Sequence, residues 1–259
     1  MRRAGRRWWL GVAGLLGFLA LLELAPRAGL VPGQYLPPTS RIAGALAGEV
    51  GRPAFWAALG DTLEGWAIGL ALAVGAGVTL GLLLGSVPAL RAATSSTVEF
   101  LRPIPSVALI PLAVLLFGTD LRSKLLLVVY AAFWQVLIQV LHGVQDVDPV
   151  AMDTAHSYGL GRWARIRHVV WPTALPYAVT GFRLAAAVAL VLAVTAELII
   201  GSPGLGREIA VAQTSGAVPA MYALVVVAGL LGVGVNIAAR ALERRVLAWH
   251  PSTRRETAA

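Results

Sequence analysis

The stretch His156–Pro172, HSYGLGRWARIRHVVWP, interrupts a chain that is otherwise mostly Leu, Val, Ala and Gly. In this short span it gathers Arg162, Arg165, Arg167, His156, His168, Trp163 and Trp171. Just upstream, Asp148-Pro149 reads as a helix start, because an Asp carboxylate accepts from free amide groups and Pro suits the first helical position. Nothing from Val150 to Tyr158 breaks a helix. Gly159 and Gly161 are expected to supply the left-handed conformations that end it. A second helix should run from Arg162 to Trp171, where Pro172 stops or kinks it. Trp163, Ile166 and Val170 fall on one stripe at helical spacing, with Arg165 and His168 off it. The insert therefore reads as two short helices joined by a Gly hinge, one face apolar enough to dock and the other basic.

The sequence around it is that of a membrane protein. The chain is 58% hydrophobic and only 13% charged, with mean hydropathy +0.75. Soluble domains carry about 25% charged residues, so most of this surface faces something other than water. Six apolar segments approach the roughly 20 residues that cross a bilayer as a helix. They are Trp8–Leu24, Trp66–Leu84, Val107–Phe117 with its flanks, Leu125–Leu141, Ala178–Ile200 and Val218–Ala239. Pro105 and Pro111 are expected to kink the third, which a membrane helix tolerates only where neighbours satisfy the freed carbonyls. Gly77, Gly81 and Gly85, four residues apart, predict a smooth strip for close approach of another helix.

Orientation follows from the basic residues. With both termini in the cytoplasm, the inner side holds Arg2, Arg3, Arg6, Arg7, Arg91, Arg102, Arg162, Arg165, Arg167, Arg240, Arg244, Arg245, Arg254 and Arg255. The outer side holds Arg27, Arg41, Arg52, Arg122, Lys124 and Arg207, and Arg183 lies within the fifth span. That asymmetry puts the insert inside. Residues 1–24 also resemble a signal peptide, but Ala25-Pro26-Arg27 gives no clear small-x-small cleavage site, so a retained first span is the reading. The chain divides into a first helix with an external connection (1–60), a membrane domain (61–245) containing the insert (143–176), and a tail (246–259). A basic loop on lipid headgroups would explain the arginines and tryptophans of the insert. It would not explain two capped helices and a Gly-x-Gly joint, which a docking piece for a cytoplasmic partner does.

These residues resemble a known family. Asp153-Thr154-Ala155, His156-Ser157-Tyr158, Gly159, nine residues and then Val169-Val170-Trp171-Pro172 look like the signature loop of binding-protein-dependent ABC importer permeases. That loop reads Glu-Ala-Ala, three residues, Gly, nine residues, Ile, one residue, Leu-Pro; the spacing matches, while Asp153, Thr154, Val169 and Trp171 depart in identity. LRPIPSVALIPLAVLLFGTDLRSK (Leu101–Lys124) and AELIIGSPGLG (Ala196–Gly206) resemble segments of the nitrate, sulfonate and taurine subfamily. The resemblance covers roughly residues 60–245. It implies an all-α bundle of about six transmembrane helices in a bacterial inner membrane, with a cytoplasmic coupling helix at Val150–Tyr158. It also implies a cytoplasmic ATPase dimer, an extracytoplasmic solute-binding protein and a second permease copy as partners. The cargo it implies is a sulfonate, taurine or nitrate-like anion, with thiamine-precursor or riboflavin uptake as the alternative. The residues it assigns to ATPase coupling are Asp153, Thr154, Ala155, His156, Ser157, Tyr158, Gly159 and Pro172.

Arg183 and Glu197 are ionisable groups inside the fifth span, where a central charge costs about 2.5–3.5 kcal/mol, so both are candidates for the passage. Arg183 can instead snorkel to the inner surface, and Glu197 can instead cap a contact beside the Gly-rich turn. Gln135 and Gln139 share one face of the fourth span and read as pathway lining or interhelical hydrogen bonding. The four histidines, His142, His156, His168 and His250, have no acidic partners at ligand spacing, so no metal site is expected. There is no cysteine and no Gly-rich phosphate loop with its Lys, so neither thiol chemistry nor ATP hydrolysis is assigned to this chain. No cofactor and no nucleic-acid partner is expected; the surrounding lipid is. An ion-coupled secondary transporter would show internal repeats and buried acidic residues, and an integral membrane enzyme would show clustered His, Asp or Glu. Neither pattern stands out.

Overall fold

A computed structural model gives the architecture; it describes residues 2–249, with side chains from Trp9 onward. The side chains of Arg2, Arg3, Arg6 and Arg7, together with His250, Arg254, Arg255 and most of the 246–259 tail, lie outside the described residues. Every regular element among the described residues is helical: α1 (Arg2–Arg27), α2 (Thr39–Val50), α3 (Pro53–Ser86), α4 (Pro88–Leu101), α5 (Ile110–Phe117), α6 (Leu121–Gln145), α7 (Pro149–Ser157), α8 (Arg162–Arg165), α9 (Trp171–Ile200), α10 (Leu205–Thr214) and α11 (Val218–Val246). A 3-10 turn at Ser106–Leu109 leads into α5, and a π-helical stretch at Ile166–Val170 joins α8 to α9.

The centre of the bundle is set by glycines on α3 meeting valines on α6. A Cβ built on Gly77, Gly81 or Gly85 would come within 2.8, 2.8 and 2.6 Å of the Cβ of Val136, Val140 and Val144. Gly69 meets Val128 and Gly65 meets Lys124 in the same rhythm. The strip expected from the sequence is thus a helix contact, and it is longer than expected. Close packing of this kind, rather than hydrophobic transfer, holds helices together in lipid. Residue numbers rise together along the contact, so α3 and α6 run parallel. Gly77→Val is therefore expected to push the pair apart, at about 1–3 kcal/mol of overpacking. Thermal unfolding in detergent should show a lowered Tm, with part of the loss recovered by Val136→Ala in the same chain.

Parallel α3 and α6 require the chain between them to return across the bundle. It does so through α4 and α5, which are bent by 83° where they meet. α4 starts beside the end of α3, and α5 ends where the Ser123 hydroxyl donates to the carbonyls of Ala113 and Gly118, at 3.0 and 2.6 Å. Two details correct the sequence reading. The break lies at Arg102–Pro105, where Pro103 and Pro105 cannot continue α4, whereas Pro111 sits harmlessly in the first turn of α5. Pro88–Leu101, read as an inner loop, is itself helical. Among the described residues five helices are long and apolar enough to cross a membrane, six where the bent pair is counted as one span.

α9 packs antiparallel to α6, with Gly143 against Ala174 and Tyr177 and Gly181 against Gln139 and Val136. α11 runs antiparallel to α9, tied by Arg183 Nη1 to Glu243 Oε2 at 3.0 Å. The core is mostly small or β-branched: Ala132, Val136, Val140, Ala174, Ala185, Ala186, Ala189 and Ala193. α1 joins through α2, where Ser40 donates from its amide and hydroxyl to Glu23, each at 2.9 Å. α2 lies in the connection between the first helix and α3. α3 starts at Pro53, well before the expected Trp66, so the division drawn at residue 60 falls inside a helix. The outer faces are apolar, with Leu115 82% and Ile237 60% exposed, as lipid contact requires.

Candidate functional site

The insert leaves the bundle after α6 and is built by local rules. The Asp148 carboxylate accepts from the Val150 amide at 2.8 Å, and Pro149 takes the first helical position of α7. At the other end Leu160 N–H donates to Ala155 O (3.0 Å) and Gly159 N–H to His156 O (2.9 Å). These two bonds form a Schellman closure, which needs a left-handed residue, and Gly159 has φ +74°. Gly161 has φ −63° and caps α8 instead, so only one of the two expected left-handed glycines exists.

The second expectation for the insert also changes. The segment Arg162–Ile200 is one continuous helical run of 39 residues, so Pro172 neither stops nor ends it. Pro172 has no N–H for a carbonyl four residues back, and the chain absorbs this by widening just before it. Trp171 N–H donates to Ile166 O, five residues back, which is the π register of Ile166–Val170. On the expected apolar stripe Val170 is buried and Ile166 half-buried, but Trp163 is 74% exposed.

α7 has a sharply divided surface. Ala155 is buried and Met152 packs against the core, fixing the helix to the bundle. Asp153, Thr154, His156, Ser157, Tyr158 and Gly159 all face outward, with Tyr158 80% and Val150 70% exposed. Of the eight residues singled out for coupling, six are thus displayed together, Ala155 is the anchor, and Pro172 lies half-buried at the start of α9.

At the far end of the bundle lies a buried ionic network. Lys124 Nζ donates to Glu197 Oε1 (2.8 Å), Asp61 O (3.0 Å) and Pro203 O (3.0 Å), using all three of its protons. Glu197 Oε2 accepts from Thr62 Oγ1 (2.8 Å) and from the Gly206 amide (3.0 Å), and Thr62 Oγ1 accepts from the Leu205 amide (2.9 Å). The carboxylate thus sits at the N-terminus of α10, where the helix dipole favours a negative charge. Lys124 is 1% exposed and Glu197 0%. A Cβ on Gly204 or Gly206 would overlap Glu197, which is why the turn before α10 is written Gly-Leu-Gly.

Residues 77–248 match the family described as the binding-protein-dependent transport system inner membrane component. The chain belongs to this family. The taurine transport system permease protein TauC of Escherichia coli (strain K12) is 32% identical over 96% of this chain and 94% of its own length. SsuC of Bacillus subtilis (strain 168), a permease protein named for aliphatic sulfonates transport, is 31% identical over 72% of this chain and 67% of its own. RibX of Chloroflexus aurantiacus, a riboflavin transport system permease protein, is 32% identical over 58% of this chain and 56% of its own. Two solved structures share the fold. One is the MetNI methionine ABC transporter in inward facing conformations (TM-score 0.63, 19% identity, 75% of this chain and 98% of that one). The other is a bacterial alginate ABC transporter in complex with an alginate-bound periplasmic protein (TM-score 0.67, 16% identity, 95% and 97%). The protein is thus a multi-pass permease component of an ABC transport system.

The permease places the expected passage residues differently. Glu197 is buried, and its oxygens accept from Lys124, Thr62 and the Gly206 amide beside the Gly-rich turn. Arg183 is paired with Glu243 and links α9 to α11 at the insert end. Gln135 and Gln139 are half-buried on the side of α6 that receives Gly181 of α9. Another face of α6 instead borders a cavity of about 520 Å³ against α4, lined by Arg91, Thr94, Ser95, Glu99, Arg102 and His142 among apolar residues. This wall is hidden from the sequence because the polar residues of α4 resemble those of a loop. The signal was present: Arg91, Thr94, Ser95, Val98 and Arg102 repeat at three and four residues, a helical stripe. Lys124 was also missed, having been counted as an outer-loop charge. Its signal was its singularity, since it is the one lysine beside 20 arginines.

Proposed function

We propose that two copies of this permease form the membrane passage of an importer that carries a small sulfonate such as taurine. In this reading the insert end faces the cytoplasm, as do both termini, and the outward face of α7 docks in a groove on each of two ATPase subunits. A solute-binding protein delivers the cargo at the opposite end, near α10. ATP binding draws the ATPase subunits together, carries the two α7 helices with them, and shifts the bundle between inward-open and outward-open arrangements. The observation that carries the coupling role is the division of α7 itself: a helix capped at both ends, held by Ala155 and displaying Asp153, Thr154, His156, Ser157 and Tyr158. The cargo rests on similarity to TauC along 96% of the chain, which is more of it than RibX matches.

The test is transport by the whole assembly. The permease, co-expressed with its ATPase and binding protein and placed in proteoliposomes, should accumulate labelled taurine only with internal-side ATP and with binding protein outside. Accumulation of riboflavin and not taurine would keep the permease role and overturn the cargo. Taurine accumulation without ATP would overturn the ATP-driven mechanism.

A further inference from the structure

We propose that Arg102 is the residue that holds the cargo's anionic group part-way across the membrane, in the cavity between α4 and α6; this rests on the sulfonate reading above. The depth of Arg102 is fixed by its neighbour. The Tyr130 hydroxyl donates to Leu101 O at 2.6 Å, which pins the broken end of α4 against α6. Along α6, Tyr130 is six residues from Lys124 and fourteen from Val144, or about 9 Å from one end of the α3–α6 contact and about 21 Å from the other. The backbone at Leu101–Arg102 therefore lies level with the body of α6, not in an inner loop, while the Arg102 side chain is exposed on the surface of the single chain.

The side chain makes the position unusual. Arg102 lines the cavity together with Leu137, Ile138, Leu141 and His142, on the insert side of Tyr130. It thus points away from the nearer end of the bundle, and the far end is beyond the reach of an arginine that would snorkel. Among the described residues no carboxylate lies within ion-pair distance of its guanidinium, although Glu99 lines the same cavity. An unpaired charge at this depth is too costly to face lipid and marks a water-filled path or a binding group. The planar guanidinium presents a fork of donors to an oxyanion. Arg91 and His142 add cationic and donor groups toward the insert end, so an anion released from Arg102 meets further donors on the way in, whereas the Thr94 and Ser95 hydroxyls already donate to the carbonyls of Leu90 and Ala92. The break at Arg102–Pro105 is what opens this wall. It ends α4 beside Tyr130 of α6, where Arg91, Thr94, Ser95, Glu99 and Arg102 line the open cavity between the two helices.

The experiment is taurine uptake by the complete transporter in proteoliposomes, for the native chain and for Arg102→Lys, Arg102→Gln and Arg102→Glu at equal membrane abundance. Arg102→Gln and Arg102→Glu are expected to cut uptake at least tenfold, with ATP hydrolysis still stimulated by the binding protein. Arg102→Lys, which keeps the charge but not the fork of donors, is expected to fall between these variants and the native chain, and Tm should change little in any variant. Native-level uptake by Arg102→Gln and Arg102→Glu would overturn the assignment while leaving the sulfonate reading intact. Equal loss in all three variants with lowered Tm would make Arg102 a structural residue and would also overturn it. Failure of the native chain to import taurine would remove the sulfonate reading first.

Discussion

Lys124→Ala is expected to leave a protein that inserts poorly and unfolds early, because it strips the lysine partner from a fully buried carboxylate. Glu197 is 0% exposed and Lys124 1%, so water cannot replace either group. Removing one member of such a pair typically costs about 3–5 kcal/mol, far more than the pair's net worth. Here the loss also orphans the carbonyls of Asp61 and Pro203, which belong to the segments that bring α3 and α10 onto α6 and α9. Glu197→Gln should be harmful for the complementary reason, leaving a buried ammonium. The double variant Lys124→Met with Glu197→Gln removes both charges and should recover part of the loss, which a cycle of Tm measurements will read as coupling between the two sites. A Lys124→Ala protein with native Tm and abundance would mean that the network is not what holds this end of the bundle together.

Gly159→Val should produce the opposite pattern: a stable, correctly inserted protein that transports nothing. At φ +74° a β-branched residue is strained by roughly 1–2 kcal/mol. Among the described residues nothing lies within 4 Å of a Cβ placed there, so no internal clash adds to that. The membrane helices do not depend on this turn, and the local cost is too small to unfold them. The damage falls on the exposed end of α7, where the Schellman closure sets the course of the chain past Tyr158. Membrane abundance is expected to stay near native while ATPase co-purification and taurine uptake fall to background. Asp153→Ala, which removes one exposed carboxylate and keeps the helix, should do less. Native uptake by Gly159→Val would make the insert an ordinary basic loop.

The contrast between these two variants follows what could and could not be read in the sequence. Local features were legible. The Asp148-Pro149 cap, the helix to Tyr158 and the left-handed Gly159 depend on neighbours within a few residues, and each is where the sequence put it. The Gly77–Gly81–Gly85 strip was legible because its four-residue spacing has one packing consequence. The features that were misread are tertiary. Gly161, Pro172 and Pro111 have ordinary local meanings that the surrounding helix overrode, most clearly in the π stretch that lets α9 continue through Pro172. Lys124 looked like a loop charge because its partner lies 73 residues away, and Glu197 stayed open between passage and cap for the same reason. Pro88–Leu101 looked like a loop because a helix with Thr, Ser, Glu and Arg on one side does not resemble a membrane span until its polar stripe is seen to face a cavity.

The central claim is that the displayed face of α7 is where the motor engages. A photo-crosslinking amino acid at Tyr158, in permease co-expressed with its ATPase subunit, tests this most directly, with the same probe at Ile237 on the apolar face of α11 as control. The expected result is a covalent adduct to the ATPase from position 158 and none from position 237. No adduct from position 158, in a preparation whose ATP-driven uptake is intact, would contradict the account.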